Sequence, residues 1–439
     1  RAPLLQPTHA PAGAAIPPFV LSDESQSGFQ MFNTLDDKTL DISANWSTVR
    51  SGGRPTQLKF GVSYVDRTRD FSSRRFRFIP ITTQKADAGN LLFDPKLTPE
   101  ELYTPANIGT AFRFNEETRS TDAYDGNQTT TSGYAMVDIA FTSTSRLVTG
   151  VRVERFDQEV NTFDPFSLFL DRLTAANKNT DVFPSVNFVQ SLRANTNLRL
   201  SYSTTVNRPE FRELAAFEFT DVVGNRAIKG NPELKRALIH NADGRWEMFS
   251  GGRNVLAASV FYKYFDQPIE NVVLSAAQPI ATFQNSDHAR NVGVELEAAR
   301  AIGSHLFVSA NYTFVDSKIT LRPEQTTAQT SLERALTGQS KNLVNLALEG
   351  TVRGFSTRLL FNYFGDRISE AGANEAPDVI EQGRGALDLI FSQRVKQFNF
   401  RLNLENLTDT EYRFSQGNQN ARQFNFGRTV AFSVGYSLF

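Results

Sequence analysis

Residues 421–439 read ARQFNFGRTVAFSVGYSLF. Taken at every second position, Phe424, Phe426, Val430, Phe432, Val434, Tyr436 and Leu438 share one face, and Gln423, Asn425, Gly427, Thr429, Ser433, Gly435 and Ser437 share the other. That period of two is the signature of a strand. Strands in soluble sandwiches run about 5–6 residues, whereas this alternation persists roughly three times as long with its bulk on one side only. A tilted strand needs about 9–11 residues to cross a bilayer core, so the stretch predicts a continuous membrane-crossing strand whose apolar face meets hydrocarbon. Arg428 interrupts the apolar set. With Phe439 at one membrane edge, Arg428 falls near the opposite interface, where a lipid-facing charge costs only about 0–1 kcal/mol.

Composition agrees with a barrel and excludes several alternatives. The chain has 439 residues, a formal net charge of -1, no cysteine and 37 phenylalanines against 2 tryptophans. Its mean hydropathy is -0.34. No window approaches 18 consecutive apolar residues, so helical spans are excluded, while a barrel interleaves apolar and polar residues and keeps a soluble-looking mean. The lack of cysteine removes disulfide scaffolds and thiolate metal sites. Near neutrality argues against a nucleic-acid partner. The opening RAPLLQPTHAPAGAAIPPF is rich in Pro and Ala, and residues 1–36 read as an extracellular loop or linker ahead of a barrel portion over 37–439.

Outward from the terminal stretch, the same alternation recurs. Strands are predicted over 37–49, 58–64 with an extension to 78, 133–141, 147–156, 184–192, 197–205, 238–249, 255–265, 291–300, 306–316, 343–352, 357–364, 386–393 and 398–407. A short surface helix is predicted from Thr98-Pro99-Glu100-Glu101, which offers an N-cap, a Pro at N1 and a capping-box Glu. Turns of a few residues, such as SGGRP, TSTSR and RANT, alternate with loops several times longer. Charges also stand in mid-strand on the polar faces: Arg152, Glu154, Glu295, Glu297, Arg401 and Glu405. A dry sandwich core would not tolerate them, so a soluble propeller or sandwich is disfavoured and a wet lumen is expected. Those six residues are the lumen-facing candidates for ligand contact. The fold class is all-β, an antiparallel transmembrane β-barrel of the outer-membrane type, with short periplasmic turns and long extracellular loops. About 15 strands are predicted, the first beginning outside. Because single-chain bacterial barrels have even strand numbers, the expectation is the C-terminal part of a larger barrel.

Several strings resemble the TonB-dependent outer-membrane receptors: ELYTPANIGTAF at 101–112, DAYDGNQTTTSGYAMVDIAF at 122–141 leading into LVTGVRVERF at 147–156, LRLSYSTTVNRPEFRELA at 198–215, GNPELKRALIHNADGRWE at 230–247, NVGVELEA at 291–298, NLENLTDTEY at 403–412, and the terminal FNFGRTVAFSVGYSLF. Their order and spacing carry the likeness more than any one of them. The resemblance implies the C-terminal two-thirds of a 22-stranded barrel, lacking about seven strands. It also implies an N-terminal plug and TonB box not visible in this chain, and import of a siderophore, vitamin or glycan driven by an inner-membrane energising complex. Lipid and lipopolysaccharide would be its surroundings, and no cofactor is expected. Alternatives left open are a structural or docking barrel in an outer-membrane assembly and a passive porin. Phe439 is one residue out of phase with Tyr436 and Leu438, which predicts a bulge near the end.

Motifs of catalysis are absent: there is no G-x-S-x-G, Walker loop, zinc spacing or cysteine nucleophile. The histidines, His9, His240, His288 and His305, show no ligand spacing, although His240 or His288 with a Ser partner is a conceivable pair. Asp122, Asp125 and Asn127 read as a turn or as hard-oxygen calcium ligands. Arg74, Arg75 and Arg77 read as a solvated strand extension or an anion site. Asn207-Arg208-Pro209-Glu210 and Gly230-Asn231-Pro232-Glu233 read as setters of loop geometry or as ligand contacts, and Gly293 as the place of a bend or a ligand.

Overall fold

The computed structural model describes residues 6–7, 19–20, 29–50, 52, 54–81, 99–167, 172–219, 227–274, 280–322 and 329–437. Its wall consists of fifteen long strands: β1 (Phe29–Arg50), β2 (Thr56–Pro80), β3 (Ala123–Ala140), β4 (Ser145–Phe163), β5 (Arg172–Arg193), β6 (Thr196–Asn207), β7 (Ala237–Phe249), β8 (Val255–Asp266), β9 (His288–Ile302), β10 (Leu306–Thr320), β11 (Asn342–Val352), β12 (Phe355–Phe364), β13 (Arg384–Val395), β14 (Phe398–Glu405) and β15 (Thr429–Tyr436). Each pairs antiparallel with its neighbour in the chain. The strand order is that of a barrel. Among the described residues no residue-by-residue ladder joins β15 to β1, and both strands are exposed along nearly their whole length.

One face of this sheet is a continuous apolar belt. Trp46 pairs with Phe60, Phe60 with Ala135 and Ala135 with Val151. Across the middle, Tyr262 meets Val292 and Val260 meets Val294. At the far side Leu404 meets Val430 and Phe400 meets Val434. These side chains are bare: Val62 is 62% exposed, Val260 59% and Phe432 65%. Holding such groups in water forfeits about 1.5–3 kcal/mol each, so the belt is the surface that hydrocarbon covers. Its height agrees. On β9 the outward residues Val292, Val294, Leu296 and Ala298 lie between Arg290 and Arg300, about ten residue steps of roughly 3.4 Å, or near 24 Å of membrane at a tilt of about 45°. The opposite face is polar, with Ser63 Oγ 2.6 Å from Ser132 Oγ and Asn345 Nδ2 donating to Asn311 Oδ1 at 2.7 Å.

The strands outrun the apolar alternation. β1 begins at Phe29 rather than at residue 37, β3 starts at Ala123, and β4 and β5 extend to Phe163 and from Arg172 through residues expected to form a loop. Above the belt polar and apolar residues occur on both faces, so no period of two marks the strand, and the ladders alone continue it: Phe29 pairs with Arg77 and Phe163 with Arg172. The terminal stretch is two strands, not one. Gln419–Phe424 belongs to a loop sheet and β15 starts at Thr429. Between them Gly427 takes a φ of 79°, a left-handed turn that any side chain would resist. The helix predicted after Thr98 is one turn, Pro99–Leu102; Thr98, Leu438 and Phe439 lie outside the described residues.

Loops at the end of the barrel opposite the short turns gather into two small four-stranded sheets. One joins Glu218–Phe219, Ile228–Lys229, Ile280–Asn285 and Ile269–Leu274. The other joins Arg367–Glu370, Val379–Glu381, Tyr412–Gln416 and Gln419–Phe424.

Candidate functional site

The segment between β6 and β7 turns into the lumen. β6 ends at Asn207, two residues before Pro209, whose missing N–H cannot continue a ladder. Glu210 then caps α1 (Phe211–Leu214) in a capping box, its backbone N–H donating to Glu213 Oε2 at 2.9 Å. Phe211, Leu214, Ala215, Phe217, Phe219 and Leu234 bury themselves against Tyr124, Val160 and Ala175, which alternate onto the polar face of β3, β4 and β5. Gly126 makes the docking possible, since a Cβ there would sit 2.9 Å from Phe211 Cδ1. Arg67 and Arg69, the latter paired across the ladder with Gly126, lie over the Phe211 ring, 5.2 and 5.5 Å from its centroid.

The second motif, Gly230-Asn231-Pro232-Glu233, locks onto α1 and the residues that follow it. Asn231 N–H donates to Glu213 O at 2.6 Å and Gly230 N–H to Phe217 O at 3.2 Å. A Cβ on Gly230 would lie 1.8 Å from Ala215 O. Asn231 Nδ2 reaches Phe283 O at 2.8 Å, and its Oδ1 accepts from Glu233 N–H at 3.0 Å. Both motifs therefore set loop geometry. Gly293 likewise admits a ring, that of Phe261, whose Cζ would be 2.2 Å from a Cβ.

Charge fastens the segment to the wall. Arg208 Nη1 donates to Glu154 Oε2 at 2.9 Å and its Nη2 to Asp181 Oδ2 at 3.3 Å. Arg152 Nε donates to Glu154 Oε1 at 2.6 Å, and Arg236 Nε forms an ion pair with Asp181 Oδ1 at 2.7 Å. The side chains of Asp181, Glu154 and Arg208 are 3%, 12% and 16% exposed, and the guanidinium of Arg208 lies 4.4 Å from the Phe156 centroid. Desolvation opposes so buried a cluster, and three arginines shared between two carboxylates offset it. Toward the short-turn end a second network follows: Glu247 accepts from Arg199 and Arg245, and Arg245 Nη2 reaches Glu297 Oε2 at 2.8 Å.

All six lumen-facing candidates alternate onto the polar face, and the registers separate them. Arg152 and Glu154 belong to the upper cluster and Glu297 to the lower. Glu295 is exposed and among the described residues has no ion-pair partner. On β14 Arg401 Nε donates to Asn403 Oδ1 at 2.9 Å, and Glu405 is exposed opposite Thr429. Sequence reading missed Asp181, Arg236, Arg245 and Glu247. Only Arg208 had a visible signal, its place in the NRPE turn motif.

Other candidate groups are occupied or dispersed. Arg74, Arg75 and Arg77 do lie on an extension of β2: Arg74 is exposed and forms a bidentate pair with Glu116, while Arg75 and Arg77 are buried, Arg75 pairing with Asp122 at 2.7 Å and Arg77 lying 3.9 Å from Glu117. Asp122 closes the turn before β3, its N–H donating to Arg119 O at 3.1 Å, whereas Asp125 and Asn127 lie on the strand; Arg75 and Arg172 hold the two carboxylates. Among the described residues no cluster of three or more His, Cys, Asp or Glu could hold a metal. His240 Nδ1 is 2.9 Å from the Tyr202 hydroxyl, and Tyr202, His240, Tyr264 and His288 form a row of rings on the belt face above the apolar side chains. That is an interfacial aromatic girdle. His9 lies outside the described residues.

The family model for the TonB dependent receptor-like β-barrel matches residues 9–407. No curated protein matches the chain in sequence. Among solved structures it is similar to the ferric-catecholate import receptor Fiu of E. coli K12, at 16% identity and a TM-score of 0.62, covering 92% of this chain and 55% of that one. It is likewise similar to the siderophore receptor PiuA of Acinetobacter baumannii, at 16% identity and 0.63, covering 92% and 56%. For the ferric citrate transporter FecA the values are 12% and 0.62, covering 94% and 56%. The chain spans a little over half the length of these proteins.

Proposed function

The chain belongs to the TonB-dependent receptor family, as its β-barrel in the bacterial outer membrane, and from that membership we propose that it serves the energised uptake of a scarce ligand of the siderophore, vitamin or glycan class. The family consists of transporters rather than enzymes. The observation that carries the reading is the family match over residues 9–407, which favours energised uptake over free diffusion. Beside it stand the stretches 208–219 and 227–236, docked by apolar and ionic contacts on the lumenal wall, where they narrow the lumen. The ligand would meet the extracellular loops and the exposed lumenal charges, Glu295, Arg401 and Glu405 among them. Energy would come from the inner-membrane TonB complex acting through a plug.

The test is uptake of radiolabelled ferric siderophores, cobalamin and oligosaccharides by a receptor-deficient bacterium expressing the protein, with and without TonB. Saturable uptake of one ligand that disappears without TonB is expected. Uptake that persists without TonB, together with steady conductance in planar bilayers, would make it a porin. Absence of both would leave a structural barrel.

A further inference from the structure

The wall has a seam. β5 pairs with β4 along 172–190, but its ladder to β6 runs only from Ser185 to Arg193. The ladder stops beside Pro184, and Thr204–Asn207 of β6 keep only the ladder to β7 that runs along the other edge of the whole strand, Thr204 with His240. Among the described residues, 172–184 thus have no ladder on that edge inside the wall. Against that edge lies a pocket of about 240 Å³ lined by Ala176, Asn177, Lys178, Asn179, Lys235, Arg236 and Gln267. Side chains of four consecutive strand residues alternate between faces, so a pocket that all four line wraps around the edge of the strand.

Its chemistry is one-sided. The lining has three cations and no carboxylate. The nearby acids are shared: Asp157 pairs with Lys178 and also Arg155, and Asp181 with Arg236 and also Arg208. Lys235 is exposed and has no acidic partner among the described residues. Asn177 is only 8% exposed, and its buried Nδ2 has no hydrogen-bond acceptor. A buried donor left empty beside cations calls for an acceptor that carries negative charge. The last outward apolar residue below is Val182, which puts the pocket roughly 10–14 Å above the edge of the hydrocarbon. At that height both soluble anions and the phosphates of the surface lipid come within reach.

We propose that the seam pocket is a phosphate-binding site in which Asn177 Nδ2, Lys235 and Arg236 hold the oxyanion and Lys178 supplies long-range attraction. The proposal does not depend on the uptake reading. The test uses the full chain in detergent micelles, with radiolabelled inorganic phosphate in one arm and diphosphorylated against dephosphorylated lipid A in the other. Each probe is measured on the unaltered chain and on Lys235→Gln, Asn177→Asp and the distant turn control Lys396→Gln, with sheet content checked by circular dichroism. Binding of inorganic phosphate that falls about tenfold or more in the two pocket variants, as loss of a charge-assisted hydrogen bond requires, and not in Lys396→Gln, supports the site with a free anion as ligand. The same pattern for phosphorylated lipid A alone supports it with a lipid headgroup as ligand. Binding of neither probe, or binding that all three variants weaken equally or none weakens, overturns it.

Discussion

Arg208 leaves β6 just before Pro209 and spends its guanidinium on two carboxylates and an aromatic ring. Breaking a buried pair outright costs about 3–5 kcal/mol, but Arg152 and Arg236 stay behind to neutralise Glu154 and Asp181, so Arg208→Ala is expected to loosen segment 208–236 by about 1–3 kcal/mol. Amide hydrogen exchange should show faster exchange there and an unchanged belt. A second residue adds a pH dependence. Burial raises the Glu213 carboxyl above its ordinary value of 4.5. For an acid raised in the folded state the neutral form is the one that docks well, so docking is firmest at low pH and weakens as pH climbs from the unfolded value through the raised one. Glu213→Gln keeps an oxygen for the Glu210 N–H and removes the charge. Exchange of α1, corrected for intrinsic rates, is expected to become flat with pH in that variant. The mid-strand charges could be placed on the lumenal face from sequence, because alternation assigns them without knowledge of partners. Asp181 could not: it lies where both strand faces are wet, and its partners are 27 and 55 positions away in Arg208 and Arg236.

At the scale of elements, docking rests on the fit between α1 and the inner surface of β3. Phe211 is fully buried, and Phe211→Ala should cost about 3–5 kcal/mol of docking. Gly126→Val should act from the other side by pushing the ring away. Limited proteolysis is expected to cut 208–236 in both variants while the β6 and β7 ladders stay protected; resistance equal to that of the unaltered chain would contradict the packing. The same region shows what pattern reading can reach. β9 and β14 were legible to within three residues at each end because hydrocarbon on one side and water on the other write a period of two. β4 was legible only as far as Phe156 and β5 only from Pro184, close to where that contrast ends. The terminal stretch misled for the opposite reason: Phe424 and Phe426 keep phase with Val430 across the Gly427 turn, so the period survives a break in the strand.

For the whole molecule, the two faces of the sheet imply unequal tolerance of charge. Leu402 and Asn403 are neighbours on β14, one in the belt opposite Phe432 and one on the lumenal side opposite Ala431. Leu402→Arg should destabilise insertion by about 2–4 kcal/mol if it lies near the midplane, and Asn403→Arg by well under 1 kcal/mol. Folding titrations into lipid vesicles give both numbers, and equal costs would sink the assignment of faces.

Strand length is also uneven around the ring. β1, β2 and β5 have 22, 25 and 22 residues, against 10, 8 and 8 for β12, β14 and β15. Since the membrane claims about the same span from each, nearly all of the surplus rises on the outside, as a parapet on one flank. On the opposite flank the loop sheet of Arg367–Glu370, Val379–Glu381, Tyr412–Gln416 and Gln419–Phe424 makes up the height instead, so the two sides of the mouth are walled by different means, prolonged wall strands on one and a separate hydrogen-bonded cap on the other.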